Sequence, residues 1–116
     1  MRSRSAADDT GAAAAEFAVA VPAVALVLAV CLGGVAVGAQ QVRLQDAAAD
    51  AARGLGRGDP FSTVLARAIR SAPGAALEQG GSGELVCARL TARARGPLTL
   101  AGLVLSAESC ALAGGG

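Results

Sequence analysis

Several residue types that carry chemistry are missing from this 116-residue sequence. It has no His, Lys, Trp or Tyr and only two Phe. Without His it lacks the commonest general base and zinc ligand, and without Trp or Tyr it lacks the aromatic platforms on which nucleic-acid bases stack. The formal net charge of +1 also argues against a strongly basic nucleic-acid-binding protein.

Small and apolar residues are abundant instead. Hydrophobic residues make up 53% of the chain, which contains 30 Ala and 16 Gly. A disordered tail would be more charged and less apolar. The length suits one small domain, but the chain offers few bulky side chains with which to fill a core.

The apolar residues concentrate between Phe17 and Ala39, where 23 consecutive residues carry no charge. About 20 apolar residues are enough for a helix to span a bilayer. We therefore predict a membrane span over residues 17–39, since the remaining chain is too short to bury such a helix on all sides. Within it, Gly34 and Gly38 are spaced for close approach of another helix, although glycine pairs are also common in so Gly/Ala-rich a stretch.

Two alternatives for this segment involve cleavage. A removable secretory signal would have a shorter apolar run than this one. A lipoprotein signal is suggested by the sequence LAVC, but Val30 stands where a small residue is expected, and Cys31 is more simply an apolar residue of the span.

The string GAAAAEF, residues 11–17, stands directly before the apolar run. It resembles the cleavage motif of type IV prepilins. The resemblance implies that a prepilin peptidase cuts between Gly11 and Ala12, and that Glu16, next to Phe17, pairs with the free amine of a neighbouring subunit. From the residues alone, Glu16 is also explained as an acidic residue in the first helical turn, after an N-cap at Asp9 or Thr10.

Over residues 11–57 the chain resembles TadE-like proteins, the pilin-like components of tight-adherence (Tad/Flp) pilus systems. The variant of GC-rich actinobacterial genomes is the most similar, and ten Arg without Lys agrees with such a genome. The resemblance implies a leader over residues 1–11, a membrane and stalk helix over 12–58, and a small head over 59–116. It also implies a non-enzymatic minor subunit or assembly factor whose partners are the membrane, the prepilin peptidase and other pilin-like or secretion proteins.

The orientation in the membrane follows from the resemblance rather than from charge. Two Arg precede the span and three follow it, at positions 2, 4, 43, 53 and 57. The positive-inside rule slightly favours an N-terminus outside the cytoplasm. The resemblance implies the reverse, a cytoplasmic N-terminus and an extracytoplasmic head, and this is the orientation that we expect.

The predicted stalk carries a narrow apolar stripe, defined as Leu44, Ala48, Ala51 and Leu55. We interpret the stripe as a surface that packs against another pilin-like helix, with a solvated stalk as the alternative. Arg43–Asp46 and Asp50–Arg53 have the spacing of ion pairs along a helix.

A second helix and a small sheet are predicted in the head. Asp59 and Pro60 form a helix-start signal, and the apolar positions that follow have helical spacing: Phe61, Val64, Leu65, Ala68, Ile69 and Ala72. The expected partner of this face is the sheet, with the membrane surface as the alternative. Residues 75–79, 86–95 and 103–112 are predicted strands, joined by the turn at residues 80–83 and by an apolar connection at 98–102. The fold class is therefore α+β.

Cys87 and Cys110 are predicted to form a disulfide across the last two strands, which an extracytoplasmic compartment would permit. If these strands are antiparallel with the two cysteines opposite each other, Arg89 faces Glu108 and the apolar faces of both strands coincide. Two free thiols are the alternative. Arg89, Arg93 and Arg95 share a strand face, which is either a site for anions or simply solvated.

No catalytic constellation is evident: the sequence has no nucleophile elbow, no phosphate-binding loop and no metal-ligand cluster. We therefore expect a non-enzymatic protein without cofactor, metal, nucleic acid or small-molecule substrate. The alternative function is a single-pass, membrane-anchored extracytoplasmic binding module unrelated to pili.

Overall fold

The computed structural model describes residues 2–96 and 102–114, with side chains described from residue 10 onward. The chain divides into two compact units, Met1–Leu32 and Gly33–Gly116. Its elements are α1 (Arg2–Arg57), α2 (Phe61–Ser71), β1 (Ala76–Gly80), β2 (Leu85–Arg93) and β3 (Val104–Leu112). The predicted α+β layout, with a long N-terminal helix, a short second helix and a small antiparallel sheet, is confirmed.

Helix α1 runs without interruption through the uncharged segment and the polar turns that follow, with Pro22 inside it. The predicted continuation of the helix beyond Gln40 is confirmed as far as Arg57. The expected N-cap at Asp9 or Thr10 is wrong, because the helix begins at Arg2 and both positions are helical. The helix ends where Gly58 adopts a φ of +93°, a conformation that glycine takes at little cost.

Helix α2 begins one residue later than predicted. Its N-cap is Pro60 and not Asp59, and there is no side-chain capping bond. The Asp59 carboxylate instead lies 3.1 Å from Arg57 Nη2 and 3.9 Å from Arg67 Nη1. Arg67 is also 3.9 Å from Asp50. The predicted pairs Arg43–Asp46 and Asp50–Arg53 are absent from the described residues, and Asp50 lies near Arg67 of α2 instead.

The sheet has the order β1-β2-β3 and is antiparallel throughout. Cys87 lies opposite Cys110, and Arg89 lies opposite Glu108, which is the register predicted from the sequence. Strand β2 ends at Arg93, so Arg95 lies beyond it. The predicted apolar connection at 98–102 falls largely outside the described residues.

The core of the second unit is built mostly from alanine. Its largest fully buried side chains are Leu44, Leu90 and Val64. Helix α1 contributes six residues to this core: Leu44, Ala47, Ala48, Ala51, Ala52 and Leu55. Val64 and Ala68 of α2 join them, whereas Phe61 and Ile69 remain 41% and 42% exposed. The apolar face of α2 is therefore covered only along its centre.

Three glutamines of α1 bind the backbone of the sheet region. Gln41 and Gln45 donate from Nε2 to the carbonyl oxygens of Ser106 and Glu108 on β3, over 2.9 and 3.2 Å. Gln40 donates to the carbonyl oxygen of Arg93 over 2.7 Å and accepts from the backbone N–H of Arg95 over 2.9 Å. These bonds satisfy backbone groups that would otherwise need water.

The end of α1 meets the end of β3 at Gly56. A side chain at this position would place its Cβ 2.8 Å from the carbonyl oxygen of Leu112. Gly56 also accepts a hydrogen bond from the N–H of Gly114 over 2.7 Å. The missing side chain therefore allows the two backbones to approach closely.

Candidate functional site

The first unit presents an apolar helical surface without cover. Across the described part of Met1–Leu32 no side chain is buried, and Phe17 is 70% exposed. Large apolar side chains are exposed along the rest of the segment: Val19, Val21, Val24, Leu26, Val27, Leu28, Val30 and Leu32. The helix is long and apolar enough to cross a membrane, and only 6% of its most apolar stretch is buried. Such a surface in a soluble monomer would be unusual.

Glu16 is the only acidic residue between Gly11 and Gln40. Its side chain is exposed beside a shallow depression formed with Ala15, Val19, Ala20 and Ala23. Among the described residues it has no hydrogen-bond or ion-pair partner. The arrangement therefore offers a carboxylate at the start of an apolar surface, where a cationic group of another molecule has access to it.

The two ends of the predicted cleavage bond, Gly11 and Ala12, lie in helix α1 and are exposed. A Cβ at position 11 would meet no atom within 4 Å. Gly34 and Gly38, which belong to the second unit, are likewise exposed and open. This glycine pair therefore has no partner helix among the described residues of its own chain.

The apolar stripe is buried within its own chain, whereas the sequence suggested an exposed surface on the stalk. All four of its residues are buried within the chain, with exposed fractions between 0% and 8%. They share one core with α2 and the sheet. We expected the stripe to contact another pilin-like helix or water; instead it packs against apolar residues of α2 and the sheet.

Cys87 and Cys110 are joined by a disulfide that links β2 to β3. Next to it, Arg89 Nη2 lies 2.7 Å from Glu108 Oε2, and Nε donates to the same oxygen over 2.9 Å. Glu108 and the two sulfur atoms are close enough to suggest a metal site, but sulfur atoms bonded to each other do not supply the thiolates that zinc needs. Cys31 is a free, exposed thiol.

The three arginines of the strand face, Arg89, Arg93 and Arg95, do not form one cluster. Arg89 is neutralised by Glu108. Arg95 lies beyond β2, and its Nη2 donates to the carbonyl oxygen of Pro73. Arg93 is exposed on β2. A single anion site along this strand face is therefore not formed.

Sequence reasoning missed Gln40, Gln41 and Gln45. Gln40 and Gln41 directly follow Ala39, and Gln45 lies one helical turn beyond Gln41, but these positions give no indication of a partner. Nothing in a helical pattern shows that an amide will bond to a strand some 60 positions away, since the bonds depend on tertiary packing alone.

Fold and site together define a protein with one exposed apolar helix and a small, disulfide-linked α+β head. No protein-family model matches the chain, and no solved structure matches it. A curated relative, "Apoptosis inhibitor Rv3655c" of Mycobacterium tuberculosis, is 49% identical over 79 residues, which are 66% of this chain. The chain spans 62% of the length of that relative.

Proposed function

We propose that the protein is a TadE-like, pilin-like minor subunit or assembly factor of a tight-adherence pilus or secretion system. In this proposal α1 anchors the chain in the cytoplasmic membrane, with the N-terminus in the cytoplasm and the head outside. The head then contacts other pilus or secretion proteins. The protein is a substrate of a prepilin peptidase and is not itself an enzyme.

The observation that carries the proposal is the position of Glu16. A carboxylate at the border of a membrane helix is costly unless it is paired. Glu16 has no partner among the described residues of its own chain, and it stands five residues after Gly11 in the prepilin-like string. Cleavage after Gly11 would create a cationic amine on Ala12, which could pair with Glu16 of a neighbouring copy.

The disulfide supports the orientation. Disulfides persist in oxidising compartments and are rare in the cytosol. A bond between Cys87 and Cys110 therefore favours an extracytoplasmic head, which agrees with a cytoplasmic leader.

Processing is tested by producing the full chain with and without an active prepilin peptidase and measuring its intact mass. We expect the peptidase to remove residues 1–11 and leave Ala12 as the first residue. Gly11→Leu should stop the cleavage, whereas the matched variant Gly38→Leu should be cut normally. An uncut wild-type chain, with a peptidase that processes a prepilin in the same cells, would refute the processing claim.

Pairing is tested separately with Glu16→Gln, which removes the charge and keeps the shape. We expect this variant to be cleaved but to lose co-purification or cross-linking with other pilin-like subunits. Glu78→Gln, an exposed site on β1, serves as the control for a lost carboxylate. Equal assembly of both variants would contradict the role of Glu16.

A second candidate function is inhibition of apoptosis, which the name of the M. tuberculosis relative assigns to that relative. Identity of 49% over 79 residues favours this candidate. It is tested by expressing the full chain in cultured animal cells and inducing apoptosis. A fall in apoptosis that Leu44→Arg abolishes, by disrupting the core, would support it; unchanged apoptosis would exclude it.

A further inference from the structure

A cavity of about 290 Å³ lies in the second unit, beside the turns of α1 where the uncharged run ends. Helix α1 contributes Ala36, Ala39 and Arg43 to its wall. The end of α2 and the turn after it contribute residues 71–73, and the chain beyond β2 contributes Arg95. The cavity is thus lined by apolar residues together with Gln40, Ser71 and two arginines.

Both arginines have donors left for a ligand. Arg43 is exposed and forms no ion pair with the described residues. Arg95 uses Nη2 for the carbonyl oxygen of Pro73, and a guanidinium has five N–H donors in total. Planar guanidinium groups bind phosphate through paired hydrogen bonds.

The cavity wall also includes the last part of the apolar run. Ala36 and Ala39 are among its last residues, and Arg43 follows Ala39 by about 6 Å of helix rise. The headgroup layer on each side of a bilayer is about 5–7 Å thick. Where the run spans a membrane, Arg43 therefore lies at headgroup depth and the alanines border the acyl region.

We propose that this cavity binds the phosphate group of an anionic membrane phospholipid, with Arg43 and Arg95 as the phosphate ligands. A lipid is favoured over free phosphate because Ala36, Ala39 and Ala92 offer an apolar wall that only an acyl chain would use. The proposal rests on the membrane-spanning part of the proposed function and is independent of any role in pili.

The test uses the full chain in mild detergent and counts bound lipid by native mass spectrometry. Phosphatidylglycerol and phosphatidylcholine with identical acyl chains are the two probes. We expect wild type to retain phosphatidylglycerol preferentially, and Arg43→Gln to weaken its binding by about fivefold. Arg43→Lys should weaken binding less than Arg43→Gln does, because it keeps the charge but loses the paired hydrogen bonds of the guanidinium.

The matched control is Arg53→Gln, which removes an exposed arginine ten positions further along α1, outside the cavity. It should change binding by less than about twofold. Equal weakening by Arg53→Gln would show general charge attraction and overturn the proposal, as would equal retention of both lipids by wild type.

A competition arm separates lipid from free phosphate. Millimolar inorganic phosphate should leave the lipid bound; displacement would identify a phosphate-ion site and overturn the lipid assignment. The result is distinguishable from the processing test, because selective phosphatidylglycerol binding without cleavage after Gly11 would retain this site while refuting the prepilin role.

Discussion

Gln41 and Ser106 lie 65 positions apart in the sequence and are joined by a hydrogen bond of 2.9 Å from the side-chain amide to the backbone carbonyl. Gln45, one turn later, makes the same kind of bond to Glu108. The spacing of one helical turn thus matches alternate residues of a strand. Two side-chain amides of α1 thus bind carbonyl oxygens of β3, which would otherwise need a neighbouring strand or water.

Removing this connection should destabilise the second unit. We expect Gln41→Ala combined with Gln45→Ala to lower the free energy of unfolding by about 1–2 kcal/mol, from about 0.5–1 kcal/mol for each exposed bond. Thermal unfolding of the full chain in detergent, followed by circular dichroism, measures the loss. Gln79→Ala on β1 is the control, and an equal loss there would argue against a specific role for the two bonds.

Reduction of the disulfide should lower the free energy of unfolding by more than the loss of the two glutamine bonds does. Cys87 and Cys110 are 23 positions apart, and closing a loop of this size contributes about 3 kcal/mol through the unfolded state. A reducing agent should therefore lower the unfolding midpoint of wild type but not that of the Cys87→Ser, Cys110→Ser double variant. In unreduced protein, a maleimide should label Cys31 alone; three labelled thiols would contradict the bond.

Leu44 should be the most sensitive position of the apolar stripe. It is 1% exposed and one of few large side chains in an alanine-rich core, so Leu44→Ala should cost about 2–5 kcal/mol. Val42 lies on the same helix and is 61% exposed, so Val42→Ala should change the free energy of unfolding by less than about 0.5 kcal/mol. Similar losses would mean that α1 does not contribute to the core.

Gly56 and Gly38 should respond in opposite ways to the same substitution. Alanine favours a helix over glycine by about 1 kcal/mol, but at position 56 its Cβ would lie 2.8 Å from a backbone oxygen that cannot easily move. Gly56→Ala should therefore lower the unfolding midpoint, and Gly38→Ala, which meets no atom within 4 Å, should leave it unchanged or raise it. A stabilising Gly56→Ala would show that α1 and β3 can separate without cost.

The spacing of apolar residues along the chain predicted the helices and strands of this fold. The residues that must lie opposite each other predicted the register between β2 and β3. The β2–β3 register followed from the sequence because a cysteine pair, an Arg–Glu pair and two apolar faces all agreed on it. Helix starts were misplaced: Asp59 was drawn into ion pairs with Arg57 and Arg67 instead of capping α2.

The apolar stripe shows what could not be predicted about the candidate site from the sequence. Spacing identified Leu44, Ala48, Ala51 and Leu55 as one face, but a hydrophobic face does not specify what covers it. The amides at positions 40, 41 and 45 give no indication of their partners in the sheet region, although Gln41 and Gln45 lie one helical turn apart. The cavity beside Arg43 exists only because three distant segments meet. Glu16, by contrast, stood out in sequence because a lone charge beside 23 uncharged residues needs a partner.

The six core residues supplied by α1 determine how this protein can be divided for study. A fragment that starts at residue 59 would lack them and expose the faces of α2 and the sheet that they cover, so it should aggregate during expression. A fragment that starts at Gln40 keeps the six residues and the three amides while losing the uncharged run. It is therefore the shortest piece from which a soluble, crystallisable sample is to be expected.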